Sequence, residues 1–150
     1  MGWDEHYRRR DALNGVIERA ELSVPDPFEG PTEVLLALHH RWSLQLVGRI
    51  ELAAAADDPV DAVGAAWREA AAANPALLAL LDEHAGHPAL RALIRAEHRA
   101  LARAAGLTGP GDGRMEQAAI GAAFVALLRN GPQERCNPME RFLRRLVPSS

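Results

Sequence analysis

Arg49 and Glu97 stand at positions where helical periodicity calls for apolar side chains. On a helical wheel, Arg49 shares the face of Leu35, Trp42 and Ala53, and Glu97 falls between Leu90, Leu93, Ile94 and Leu101. Burying one such charge alone is costly, and breaking an established buried pair costs about 3–5 kcal/mol. The two must pair with each other, reach solvent, or meet a ligand. The structural alternative is an Arg49–Glu97 pair, or an arginine whose charged head snorkels outward. The functional alternative is a cavity border. There Arg49, Glu97 and His39 orient a polar group on a small, largely apolar molecule, while Trp42, Trp67 and Leu46 bury the rest of it.

Other side chains with chemical potential are weaker. His39 flanks the same apolar face with Ser43 and Gln45, His84 and His87 bracket a helix end, and His98 stands at the edge of a helix. A zinc-type site needs several ligands converging at about 2.0–2.2 Å. His84-Ala-Gly-His87 beside Glu83 supplies a partial set, in which His87 already serves as a helix cap, so no metal and no cofactor is expected. Cys136, the one cysteine, has no intramolecular disulfide partner. Arg135 and a helix start lie beside it and favour the thiolate, but an ordinary thiol is the simpler reading. Arg91, Arg95, Arg99 and Arg103 recur every four residues, which suits a solvated helix face or an acidic partner. P-loop, dinucleotide fingerprint, Gly-x-Ser-x-Gly elbow and zinc-protease pair are all missing, so no catalytic residue is assigned and no enzyme is expected. The alternative is a small helical enzyme or metal-binding protein whose site is assembled from distant residues.

The elements that must position these groups are punctuated in the sequence itself. Asp58, Asn74, His87 and Asn137 each stand directly before a proline that opens an apolar helical pattern. Proline at the first helical position forfeits only an N–H that has no partner there, and the preceding side chain can accept from the first turn. Helices are expected at about 4–22, 32–56, 59–73, 75–83, 88–105 and 114–130, with a seventh opening at Asn137-Pro-Met-Glu140 as a capping box and facing Phe142, Leu143 and Leu146 inward. Ser23 to Pro31 holds three prolines and reads as a loop anchored by Phe28. Gly106 and Gly131 read as helix terminators. The second helix carries Leu36, Leu44, Val47 and Leu52 outside its main apolar face, which predicts packing on several sides and a central place. In the third, Val60, Val63 and Trp67 are expected inside. The sixth has two faces, with Met115, Ala119, Ala122 and Ala126 on one and Ile120, Phe124, Leu127 and Leu128 on the other. The fold class is all-α, an antiparallel bundle of six to seven helices in one domain. Residues 1–22 form an N-terminal helix, 23–31 a proline-rich loop and 32–147 the bundle.

Composition agrees. Of 150 residues, 48% are hydrophobic, chiefly Ala and Leu, and only 5% are aromatic, a balance that favours helix over strand. All 17 basic residues are arginine, which reads as codon bias. The net charge of −3 offers no general attraction to nucleic acid or to an anionic membrane. Neither a signal peptide nor an apolar stretch of spanning length is evident, so a cytoplasmic protein without membrane association is expected.

Residues 31–130 resemble the C-terminal regulatory domain of TetR-family transcription regulators. The resemblance rests on Phe28-Glu-Gly-Pro-Thr-Glu-Val-Leu-Leu-Ala-Leu38, Trp42, Asn74-Pro-Ala-Leu-Leu-Ala-Leu-Leu81 and His87-Pro-Ala-Leu-Arg91. Arg9-Arg-Asp-Ala-Leu13 is similar to the opening of that family's first helix. It implies a helical bundle with a small-molecule cavity and a homodimer made by the last long helices, here through Met115, Ala119, Ala122, Ala126 and Phe124. Between the first helix and Phe28, however, only loop-like residues stand where the family has a second helix, a turn and a recognition helix. Direct sequence-specific DNA binding, which needs a helix in the major groove, is therefore not expected. The reading is a TetR-like regulatory module without a DNA-reading helix, binding a small apolar ligand or a protein partner as a homodimer. The alternative in this class is a modulator that heterodimerises with a full-length regulator of that type.

Overall fold

The computed structural model describes residues 2–130. Six helices pack against one another: α1 (Gly2–Arg19), α2 (Pro31–Ala54), α3 (Pro59–Ala73), α4 (Pro75–Glu83), α5 (Pro88–Ala104) and α6 (Arg114–Arg129), with no strand among the described residues. The helix expected at Asn137, with Phe142, Leu143 and Leu146, lies outside the described residues, as does Cys136. No described helix is long and apolar enough to cross a membrane.

Prolines open α2, α3, α4 and α5, but the residues before them act in different ways. Asp58 accepts from the Asp61 N–H at 3.3 Å, and His87 accepts through Nδ1 from the Ala89 N–H at 3.1 Å, as caps do. Asn74 makes no such bond. Its side-chain amide instead donates to the Ala70 carbonyl at 2.9 Å, closing α3 rather than opening α4. Gly106, at φ +73°, ends α5. Its N–H donates to the Arg103 carbonyl and the Leu107 N–H to the Ala102 carbonyl, the paired bonds of a left-handed helix stop. Helix α1 ends at Ala20 with φ +54°, a conformation that Gly adopts more cheaply, so it stops short of the expected Leu22. Residues 20–30 then run as turns and irregular backbone.

The core gathers Leu13 and Val16 of α1, Leu35, Leu38, Trp42 and Leu46 of α2, and Val63 and Trp67 of α3. Leu77 and Leu80 of α4, Leu90 and Leu101 of α5, and Phe124, Val125 and Leu128 of α6 complete it. Phe28 is buried, as the loop reading expects. The Arg9 guanidinium lies 4.8 Å from its ring and also bonds Glu33 at 2.7 Å, tying α1, loop and α2 together. The Glu29 N–H and Arg9 together hold the Glu33 carboxyl below its ordinary range.

Helix α2 touches α1, α3, α4 and α5, so it is central. Burial all round is not observed: Leu36, Leu44, Val47 and Leu52 are exposed, because no described element packs on that side. Val60 is likewise exposed at the start of α3. Helices α5 and α6 make the most extensive pairing, permitted by Gly121, where an added Cβ would fall 1.9 Å from the His98 carbonyl oxygen.

Candidate functional site

Of the alternatives for Arg49 and Glu97, the direct pair does not form. Arg49 turns back along α2 and donates to the carbonyl and side-chain oxygens of Gln45, half-buried at the helix flank, which is the snorkelling alternative. Its long side chain satisfies its donors locally at no cost in desolvation, so it has no need of Glu97. The residue that α2 does bring to Glu97 is His39. Its Nε2 lies 3.3 Å from Glu97 Oε1, with the side chains 9% and 17% exposed.

That contact has charge proximity without hydrogen-bond alignment, so both atoms are buried and left without a bonded partner. Such groups cost about 1–3 kcal/mol each. On its other ring nitrogen His39 meets the Ser43 hydroxyl at 3.4 Å, one turn further along α2.

Two spaces adjoin this pair. An inner cavity of about 310 Å³ lies among α2 to α6 and is lined by Trp42, Trp67, Leu81, Ile94, His98 and Val125 as well as His39 and Glu97. An outer groove of about 670 Å³ runs between α2 and α5, past Leu46, Val47, Ile50, Leu93 and Leu101, with His39 and Glu97 again in its wall. The pair therefore forms a polar partition between two mostly apolar spaces.

Inside the cavity Trp42 and Trp67 meet edge to face, ring centroids 6.2 Å apart and planes at 78°, a geometry that matches ring edge to ring face. Trp67 is buried and its indole N–H has no partner. At the rim Arg129 of α6 lies 5.2 Å from the Trp67 ring and grips Asp82 of α4 through two bonds of 2.8 Å. Burial lowers the His98 pKa; the Glu97 charge opposes that shift and Arg129 adds to it.

Of the residues expected to bind ligand, Glu97, His39, Trp42 and Trp67 line the inner cavity and Leu46 the groove, while Arg49 lines neither. His98, Asp82 and Arg129 are wall residues that sequence reasoning missed. His98 sits at the wheel edge, and the Asp82–Arg129 pair spans 47 residues, so no local pattern marks it. Among the residues expected at a dimer interface, Met115 is 88% exposed, and Ala119, Ala122 and Ala126 are exposed beside it. Phe124 is not: it is buried in the core on the opposite face of α6, toward Gly64 of α3. The arginine stripe of α5 faces outward, with Arg91 and Arg95 bonded to nearby carbonyls. Among the described residues no group of three or more His, Cys, Asp or Glu is placed to hold a metal ion.

The class that fold and site define is an all-α helical bundle enclosing an aromatic-lined cavity with a buried acid–imidazole contact. Comparison with known proteins finds no matching family model, curated protein or solved structure.

Proposed function

We propose that this protein is a small-molecule-binding module of the regulatory kind that the TetR resemblance implies, without a DNA-reading helix between α1 and α2. The ligand is mostly apolar, sits in the inner cavity against Trp42 and Trp67, and sets its polar group at His39 and Glu97. One observation carries this reading: two buried polar atoms, His39 Nε2 and Glu97 Oε1, lack bonded partners beside a cavity of about 310 Å³. That volume lies at the small end of the usual range for ligand pockets. A region built only for stability would fill such a space with side chains.

Self-association belongs to the same proposal and rests on the outer face of α6, where Met115 and Ala119 stand exposed and Ala122 and Ala126 reach the cavity rim. The binding test uses the three indole N–H resonances of the nitrogen-labelled protein, titrated with neopentylbenzene as a neutral apolar probe. Trp42 and Trp67 are expected to shift together while Trp3, which is 73% exposed, stays in place. Unmoved Trp42 and Trp67 signals, with this probe and with any charged analogue, would sink the binding reading.

A further inference from the structure

Resting on that binding reading, we infer that the ligand is an organic cation, a protonated or quaternary amine of small size, recognised by Glu97 and the Trp42–Trp67 pair. The charge balance of the cavity wall points there. Among the described residues, five titratable side chains line it: His39, Asp82, Glu97, His98 and Arg129. Asp82 and Arg129 neutralise each other through two bonds of 2.8 Å. His98 resists protonation because it is buried. Among the described residues Glu97 is left without an arginine partner. Its nearest polar neighbour is His39, one atom against one atom at 3.3 Å and out of hydrogen-bond alignment.

Oε1 is sealed against His39, and the Glu97 side chain, 17% exposed, stands in the wall of both the cavity and the groove. A carboxylate held in a largely apolar wall favours a positive guest, because water is not there to screen it. Beside it the two indole rings meet edge to face at 78°, and Trp67 already holds one cation, the Arg129 guanidinium, 5.2 Å from its ring. Indole faces attract cations by their quadrupole, the more strongly once the ion is desolvated. An anionic ligand would meet Glu97 with no free cation opposite it among the described wall residues. A neutral one would leave the charge as unpaired as it is without ligand.

The test compares three ligands of one shape class on the intact chain: benzyltrimethylammonium, its neutral isostere neopentylbenzene, and phenylacetate, each followed at the Trp42 and Trp67 indole resonances. The cation is expected to bind about tenfold tighter than the neutral isostere, and phenylacetate not at all. Glu97→Gln, checked for folding by circular dichroism, is expected to bring cation and isostere within about twofold, and Glu97→Asp to keep part of the preference. Equal binding of cation and isostere by the unmodified protein overturns the cation inference and leaves the binding module standing. Failure of all three ligands overturns both. Because the ligand series runs on the unmodified chain, the result stands even if the Gln variant does not fold.

Discussion

Glu97 and Arg49 look alike in the sequence, each a charge on an apolar helical face, and the structure treats them in opposite ways. Arg49 has a long stem and donors that reach its own helix, so it escapes the core and bonds Gln45. Glu97 has a short stem on a helix covered by α2 and α6, so it stays and faces His39. Replacing each by alanine separates the two fates. Arg49→Ala is expected to stay within about 0.5 kcal/mol of the parent in urea unfolding, as surface changes do. Glu97→Ala removes one of the two buried polar atoms of the His39 contact that lack a bonded partner and is expected to raise stability, by up to about 1–3 kcal/mol. A loss of stability at Glu97→Ala would show instead that its proximity to His39 holds the fold.

His98 carries a pH prediction. Burial disfavours its charged form, so its folded pKa lies below the ordinary 6.5. The unfolded chain then takes up a proton more readily than the folded one. The resulting stability is fully present above pH 6.5 and is lost as pH falls through that value toward the folded pKa. His98→Gln should flatten the slope of stability against pH on the acid side of neutrality, measured by urea midpoints. An unchanged slope would assign that dependence to another group.

At the scale of elements, two glycines in helix interiors make opposite predictions. Gly121 lets α6 lie directly on the α5 backbone, and a Cβ there meets main-chain atoms of His98 at 1.9 to 2.8 Å. Backbone cannot swing aside as a side chain does, so Gly121→Ala should force the two helices apart. The expected loss is at the upper end of roughly 1–3 kcal/mol or beyond. Gly48 is exposed on α2, and a Cβ there meets nothing within 4 Å. Gly48→Ala should raise stability by about 0.8–1 kcal/mol through helix propensity alone. Thermal melts of the two variants check both signs. The element pattern was the most legible part of the chain. Prolines mark the starts of α3, α4 and α5 at their observed places, because a ring that fixes φ acts locally, while Pro31, read as the end of the loop, is the first residue of α2. Asn74 shows the limit of that legibility. It stands between two helices, and whether its side chain serves the one before or the one after depends on the angle at which they meet. The exposed side of α2 shows another, since an apolar residue does not state whether a neighbour will cover it.

For the whole molecule, the open question of association has a direct test. Ala119 is exposed on α6 and lies outside the inner cavity wall, so Ala119→Arg should leave the fold and the ligand site intact. If the α6 face joins two copies, sedimentation equilibrium should show a dimer for the parent and a monomer for the variant. A parent that stays monomeric across concentration ends the homodimer proposal.

By itself the sequence determined that the chain is helical, where most helices begin and end, and which side of each is apolar. These follow from periodicity, capping and proline geometry, all set within a few residues. It also marked Glu97, Trp42 and Trp67 as inward-facing and His39 as flanking them, but it placed Arg49 on the same face, which the structure turns outward. Only the tertiary structure decided that Glu97 meets His39 rather than Arg49, that Asp82 and Arg129 close the rim together, and that Phe124 belongs to the core. Each of these depends on how one helix slides and turns against another. That register is set by the packing of many side chains at once, such as Gly121 against His98, and no single residue announces it.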